Sequence, residues 1–110
     1  MIKIFVQNSR YSPIIVCDIC GRKIDNAMEG AAVFNNRTPS GDFLPDGAIQ
    51  PVIHAHKGEC HDLAESKLGE HDTAVWIELE THMRFLVHNA GLDLKQMLDK
   101  DRLDEEVGTL

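Results

Sequence analysis

Two separated groups of cysteine and histidine residues constrain the fold of this chain more than any other feature of its sequence. The first group lies in the stretch CDICG at 17–21, and the second lies in VIHAHKGECHD at 52–62. Thiolate and imidazole groups are good zinc ligands, and two cysteines separated by two residues can reach one ion if the backbone between them turns tightly. Gly21 permits the positive φ that such a turn often needs. The pattern therefore predicts one zinc site that joins two distant segments.

A redox-active cysteine pair is the alternative interpretation of the first group. Such a pair usually stands at the start of a helix in a strand-helix-strand unit, and no helical pattern follows Gly21. The chain has three cysteines, an odd number, and its apolar stretch MIKIFV is too short for a secretory signal or a membrane span. We therefore expect a cytoplasmic protein whose cysteines bind metal and do not form disulfides.

Tetrahedral zinc then needs two ligands from the second group. Cys60 is the remaining cysteine of the chain, and His56 stands four residues before it, so both side chains are expected on one side of a first helical turn. His61 is adjacent to Cys60 and would point about 100° away from it, whereas His54 shares a strand face with His56. The predicted ligands are Cys17, Cys20, His56 and Cys60, with His54 and His61 as alternatives for the fourth position.

The first half of the chain has the pattern of a β-rich unit. Between two of its apolar segments lies the stretch 35–47, rich in Asn, Pro, Gly and Asp, which is typical of a turn. This stretch predicts a hairpin with a long tip. The expected extended segments are 2–6, 14–16, 31–34 and 48–53, with Phe5 in the core.

The second half of the chain has helical periodicity. A helix is expected at 59–68, where Gly69 ends it, and a longer one at 73–90. The longer helix depends on an apolar stripe with a period near 100° per residue, formed by Val75, Trp76, Leu79, Met83, Leu86, Val87 and Ala90. We expect Trp76 to pack in the core and His82 and His88 to face solvent. Asp93 and Gln96 form a capping box for a last short helix at 94–104, whose buried face would be Leu94, Met97 and Leu98.

The order of a CxxCG turn, a β-hairpin and a helix that carries the second ligand pair resembles the treble-clef class of zinc fingers. The resemblance covers residues 16–69 and depends on the motifs CDICG and HKGEC. It implies that a zinc knuckle and the first turn of a helix hold one ion from either side of the hairpin. Three thiolates and one imidazole leave no position for a water molecule, so the ion is expected to be structural.

These elements predict a single α+β domain over 1–110. Within it, the zinc-binding hairpin and helix are expected at 1–69, and the C-terminal helices are expected at 70–110.

Catalysis and nucleic-acid binding are the less favoured functions. A nuclease of the treble-clef class would need a second, His-rich centre, for which His54, His61 and Asp62 are candidates, but the expected Asn is missing. A nucleic-acid-binding finger needs outward-facing Arg and Lys on the helix after Cys60, and that helix offers mainly acidic and neutral side chains. The net charge of the chain is −7, from 18 acidic and 11 basic residues, which repels phosphate backbones. We therefore expect no catalytic activity, with nucleic-acid binding and a divergent nuclease as alternatives.

Interaction with other proteins is the favoured function, and the predicted 73–90 helix supports it. Ile77 and Phe85, with Thr81 between them, lie on the far side of this helix from its main stripe. A helix that is apolar on two faces is either buried twice or meets a partner. This second strip is therefore expected to contact the 94–104 helix, a partner protein or a second copy of the chain.

Overall fold

The computed structural model describes residues 1–38, 40–68, 74–93 and 95. Within these residues the chain forms two antiparallel sheets and two α-helices, which confirms the expected α+β class. In chain order the elements are β1 (Ile2–Gln7), β2 (Arg10–Ile15), a short 3-10 helix (Ala27–Glu29), β3 (Gly30–Asn35), β4 (Ile53–His56), α1 (Glu59–Leu68), β5 (Ala74–Glu78) and α2 (Leu79–Asn89). The predicted helix at 94–104 lies outside the described residues apart from Lys95.

The first sheet is a two-stranded hairpin made of β1 and β2. Its turn consists of Asn8 and Ser9, which have φ values of 51° and 63°, as in the two-residue turns that match the twist of paired strands. β2 begins four residues earlier than the predicted segment at 14–16. Every residue of β1 is exposed, so the expectation that Phe5 lies in the core is wrong.

The second sheet has three strands in the order β4-β3-β5, and both pairings are antiparallel. The pairing of β3 with β4 confirms the predicted hairpin, although β4 begins only at Ile53, later than the extended segment expected at 48–53. β3 is the central strand, and its first four residues, Gly30 to Val33, are buried. This strand is therefore the centre of the fold.

The predicted helix at 73–90 is partly wrong. Residues 74–78 form β5, which pairs with β3, and the helix α2 begins directly afterwards at Leu79. The run Val75-Trp76-Ile77 consists of β-branched and aromatic residues, which favour a strand when a neighbouring strand is available for pairing. A short apolar run of this kind fits a helical stripe and a buried strand equally well.

The two helices cover opposite faces of the three-stranded sheet. The ring of His61 in α1 packs against Trp76, which pairs with Val33. On α2, Leu79 lies next to Gly30. Because successive strand residues point to opposite faces, these contacts place α1 and α2 on the two sides of β3. The buried core between the layers consists of Cys17, Ile24, Ala31, Val33, Ala55, Ala64 and Leu79.

Small residues allow this close layering. Ala31, Ala55 and Ala64 are fully buried where α1 meets the sheet, and at Gly30 an added Cβ would lie 2.6 Å from Leu79 Cδ2. Trp76, by contrast, is 44% exposed because β5 is an edge strand. The expectation that Trp76 packs in the core is therefore wrong.

Candidate metal centre

Cys17 and Cys20 are positioned by a tight turn that follows β2. Val16 and Lys23 form an isolated bridge that closes this turn, and Cys17 N donates to the carbonyl oxygen of Arg22 at 2.9 Å. Gly21 has a φ of +75° and its N–H donates to the Cys17 oxygen at 3.0 Å. A residue with a Cβ adopts such a φ only at a cost in conformational energy. The glycine after the second cysteine therefore allows the two thiols to face the same way.

His56 and Cys60 come from the junction between β4 and α1. His56 is the last residue of the strand and Cys60 is the second residue of the helix. Between them, Lys57 N donates to the Glu29 oxygen at 2.8 Å, and Gly58 has a φ of +92°, which reverses the chain into the helix. The Lys57 hydrogen bond thereby holds the end of β4 beside the 3-10 helix, directly before α1 begins.

The structure brings all four predicted ligands together. The Sγ atoms of the three cysteines and one ring nitrogen of His56 lie within 4.8 Å of one another. Cys20 Sγ is 3.4 Å from His56 Nδ1. A tetrahedral zinc with its usual bond lengths to sulfur and nitrogen separates two such ligand atoms by about 3.6 Å. The cluster is therefore compatible with a zinc site of three thiolates and one imidazole.

The hydrogen bond on the far side of the His56 ring fixes which nitrogen can bind the ion. His56 Nε2 is 3.2 Å from the carbonyl oxygen of Lys23. Because a carbonyl only accepts, the proton is on Nε2 and the lone pair is on Nδ1. Nδ1 is the nitrogen that faces Cys20. An outer hydrogen bond of this kind typically orients a metal-binding histidine.

The three thiols differ in how readily they ionise. Burial opposes ionisation of Cys17, but hydrogen bonds from surrounding backbone N–H groups outweigh burial and lower the pKa of its thiol. The backbone N–H of Arg22 lowers the pKa of Cys20. Burial, followed by the neighbouring sulfur atoms, raises the pKa of Cys60 to about 11. Three clustered thiolates repel one another, so a divalent cation is what would allow all of them to ionise together.

The two alternative histidines lie elsewhere. His54 is buried on the α2 side of the sheet, where its Nδ1 is 2.7 Å from the amino group of Met1 and its Nε2 is 3.3 Å from His82 Nε2. Burial lowers the pKa of His54 to about 4 and also lowers the pKa of His82. His61 Nε2 forms a hydrogen bond with Glu65 Oε1 of the same helix at 2.9 Å. Neither His54 nor His61 belongs to the cluster.

His82 is therefore not the solvent-facing side chain that the helical pattern predicts, because it packs against His54 and is partly buried. His88 is exposed, as expected.

Asp18 is a residue of this site that the sequence did not single out. Its backbone N–H donates to the His54 oxygen at 2.7 Å, and its Oδ2 accepts from His54 N at 2.8 Å. These two bonds attach the knuckle turn to β4. The only local signal was the position of an aspartate between the two cysteines, which does not reveal a partner 36 residues away.

Comparisons of the chain with known protein families, with curated proteins and with solved structures find no match. Among the described residues, no helix is long and apolar enough to span a membrane. The case for function therefore depends on the geometry of the cluster and of the surfaces around it.

Proposed function

We propose that this protein is a small structural-zinc domain of the treble-clef class, which acts through protein–protein contacts and has no catalytic centre. The observation that carries the proposal is the convergence of Cys17, Cys20, His56 and Cys60 within 4.8 Å. Sulfur-rich tetrahedral sets of this type select zinc over harder cations such as magnesium and calcium.

The order and placement of the elements support the treble-clef assignment. A knuckle turn supplies two ligands, the β3–β4 hairpin follows, and the start of α1 lies beside the end of β4. The second ligand pair is split between the last residue of β4 and the first turn of α1. This arrangement would let one ion join a turn, a strand and a helix.

A structural role for the ion is supported by the ligand count. Four protein ligands complete a tetrahedron, so no position remains for an activated water molecule. The described part of the chain has only a small core, and alanine is the commonest residue in its buried cluster. Zinc binding in small domains contributes an apparent free energy of about 10 to 16 kcal/mol, which is comparable to the whole stability of a typical domain.

The placement of the remaining histidines supports a non-catalytic role. His54 and His61 are the candidates for a second, nuclease-like centre, but they lie on opposite sides of the three-stranded sheet. His54 pairs with Ala32 and faces His82 of α2, whereas His61 packs against Trp76 on the α1 side. They cannot act on one substrate atom in this arrangement.

The proposed interaction surface is an apolar groove between α2 and the edge of the sheet, which we call the α2 groove. Ile77 and Phe85 both line it, although Ile77 belongs to β5 and only Phe85 to α2. Phe85 is 57% exposed. The remaining lining residues are Phe34, Gln50, Val52, His82, Leu86 and Asn89. An exposed aromatic ring beside an apolar groove is typical of a surface that binds a protein.

Metal analysis of matched variants tests the zinc assignment. Purified wild-type protein should contain one zinc per chain, and Cys60→Ser and His56→Ala should each lose the metal and the native circular dichroism spectrum. His54→Ala is the matched control, because it removes a histidine two residues away that lies outside the cluster, and it should keep its zinc. If His54→Ala empties the site while His56→Ala does not, the ligand assignment is wrong.

Light scattering with Phe85→Asp tests the groove. If two copies meet through the α2 groove, wild-type protein should be dimeric and Phe85→Asp should be monomeric with its zinc retained. Equal masses for the two proteins would exclude a homodimer through this groove and leave the predicted 94–104 helix or a different protein as its occupant.

A further inference from the structure

The β1–β2 hairpin has one apolar face and one mixed face. Residues that are directly paired across two strands share a face, and the register pairs Ile2 with Ile15, Ile4 with Pro13 and Val6 with Tyr11. These six residues form one face, which we call the hairpin face, and it contains no charged side chain. The opposite face carries Lys3, Phe5, Gln7, Arg10, Ser12 and Ile14.

The hairpin face is exposed. Ile2, Ile4 and Val6 are 54%, 59% and 56% exposed, and Tyr11 is 74% exposed. Of the six residues, only Ile15 packs against the core. An antiparallel sheet with this alternation normally covers a core with its apolar face, and an isolated two-stranded hairpin is marginally stable in water. The sequence of the hairpin is therefore that of a sheet with a covered face.

The described part of the chain does not supply the cover. β1 and β2 contact mainly each other, whereas α1 and α2 pack on the three-stranded sheet. The long dimension of the molecule is 54 Å against 30 and 20 Å for the other two. Within the described residues, the apolar face of the hairpin is therefore uncovered.

Pairing along the edges of the hairpin would not cover this face. In a two-residue hairpin the residue pair next to the turn is hydrogen-bonded, and the following pairs alternate between non-hydrogen-bonded and hydrogen-bonded. Ile4 and Pro13 are the fourth pair from the turn, so they form a non-hydrogen-bonded pair. The backbone nitrogen of Pro13 therefore points away from β1. Proline has no N–H to offer a further strand, and the Ile15 oxygen already accepts from Ile24 N at 2.8 Å. The β2 edge is therefore closed. A strand added at β1 would leave the apolar face in water.

We propose that two copies of this chain pack their hairpin faces against each other in a two-fold symmetric dimer. A two-fold interface brings the same patch of both copies together, and here that patch is apolar and free of charge. Residues 1–17 contain Lys3 and Arg10 and none of the 18 acidic residues of the chain. Two molecules with a net charge of −7 each therefore meet at the longest segment of the chain that carries no negatively charged side chain.

The exposed area of the hairpin face determines how strong a dimer we expect. Four side chains that are half or more exposed offer on the order of 500 Å² per copy, so the dimer would bury about 1,000 Å² in total, near the lower limit for a specific interface. We therefore expect a reversible dimer whose fraction rises with protein concentration. The hairpin face contains none of the proposed zinc ligands and does not include the α2 groove. Failure of the dimer would therefore not affect the proposal for zinc.

Light scattering over a range of concentrations, from low micromolar to several hundred micromolar, tests the dimer with zinc-loaded full-length chain. The mass of wild-type protein should rise from monomer to dimer. Ile4→Lys should raise the dissociation constant by more than about tenfold, because it places a charge in an apolar contact, while its zinc content and circular dichroism stay unchanged. Ser12→Lys is the matched control in the same hairpin, since Ser12 lies on the face opposite the hairpin face, and it should dimerise like wild type.

Three outcomes would overturn the proposal. Wild-type protein that stays monomeric at the highest concentration would do so, and so would an Ile4→Lys variant that dimerises as well as Ser12→Lys. Phe85→Asp should still dimerise, and a monomeric Phe85→Asp would assign the contact to the α2 groove instead. In the first case, wild-type protein that sediments with phosphatidylcholine vesicles, while Ile4→Lys does not, would show that a lipid surface covers the face.

Discussion

The two sheets of this protein have similar backbone pairing and opposite surroundings. In the three-stranded sheet, β3 is covered on one face by α1 and on the other by α2, and Ala31, Ala32 and Val33 are completely buried. In the hairpin, all six residues of β1 are exposed. The difference indicates that strand pairing alone does not determine which sheet of a small protein is the more stable. Stability is expected where both faces of a sheet are covered and where the cysteine and histidine cluster joins the covering elements.

Removal of the metal should have the largest effect on this contrast. Chelation of zinc from the purified protein should unfold the three-stranded sheet, because the ion would contribute an apparent free energy of about 10 to 16 kcal/mol. Amide hydrogen exchange can follow both sheets in one experiment. The amides of residues 31–33 should lose protection on chelation, whereas the outward-pointing amide of Ile4 should exchange rapidly with and without zinc in dilute protein. Protection that survives in residues 31–33 without metal would show that packing alone holds this sheet.

Zinc affinity should depend steeply on pH, and the sign follows from the thiols. The bound ion needs three thiolates, so binding releases protons, and affinity rises with pH wherever a thiol is protonated in the free protein. The pKa values of Cys17 and Cys20 are lowered, whereas the pKa of Cys60 is raised to about 11. Where all three thiols are protonated and the His56 ring is neutral, three protons must leave, which corresponds to about a thousandfold change in affinity per pH unit. At higher pH only the Cys60 proton remains, and the change falls to about tenfold per unit.

Competition with a coloured chelator over a range of pH values measures this dependence. The His54→Ala variant, which should keep its zinc, is the matched control and should show the same slope as wild type. A wild-type affinity that does not change with pH where Cys60 alone is still protonated would contradict the assignment of Cys60 as a ligand.

Gly30→Ala should disturb the packing of α2 on the sheet. The new Cβ would lie 2.6 Å from Leu79 Cδ2 and 3.2 Å from Ile24 Cγ2, and Leu79 is only 1% exposed, so it has little room to move. Overpacking of this kind costs about 1 to 3 kcal/mol of unfolding free energy. Denaturant unfolding of the zinc-loaded protein measures the loss.

A double variant shows whether the Leu79 contact causes this loss. Valine lacks the δ carbons that the new methyl group meets, so the cost of Gly30→Ala should be smaller in a Leu79→Val background than in wild type. Equal costs in the two backgrounds would mean that the close approach to Leu79 is not the cause.

The sequence allowed prediction of the candidate site more completely than prediction of the fold around it. Cysteine is scarce in the chain, and the spacing of Cys17 and Cys20 with the His56–Cys60 pair left few combinations that could hold one ion. The structure brings these four residues together. The helix at 59–68 was also predictable, because its apolar residues recur at helical spacing and Gly69 follows as a stop.

The errors arose where long-range contacts decide local structure. Val75 and Trp76 fit the helical stripe, yet they belong to β5 because β3 offers an edge for pairing. Phe5 is apolar, yet nothing in the described part of the chain covers it. The attachment of Asp18 to His54 joins residues that are 36 positions apart and has no local signature. In each case the deciding neighbour is distant in sequence, so periodicity cannot reveal it.

The smallest expected effect is that of Val6→Ala, which is measured beside the same substitution at Val33 in the other sheet. Val6→Ala in the hairpin should change the unfolding free energy by less than about 0.5 kcal/mol in dilute, monomeric protein, since an exposed side chain loses little on truncation. Val33→Ala makes the same change at a side chain with no exposed surface, and the lost burial and the cavity left behind should together cost about 2 kcal/mol. Both values come from denaturant unfolding at the same zinc concentration.

Repeating the Val6→Ala measurement at high protein concentration sharpens the comparison. If the hairpin face is covered in a dimer, the cost of this variant should grow with concentration, whereas the cost of Val33→Ala should stay constant, because its surroundings lie within one chain. A Val6→Ala cost that is large and independent of concentration would mean that the hairpin is already covered within the monomer, and the contrast between the two sheets would disappear.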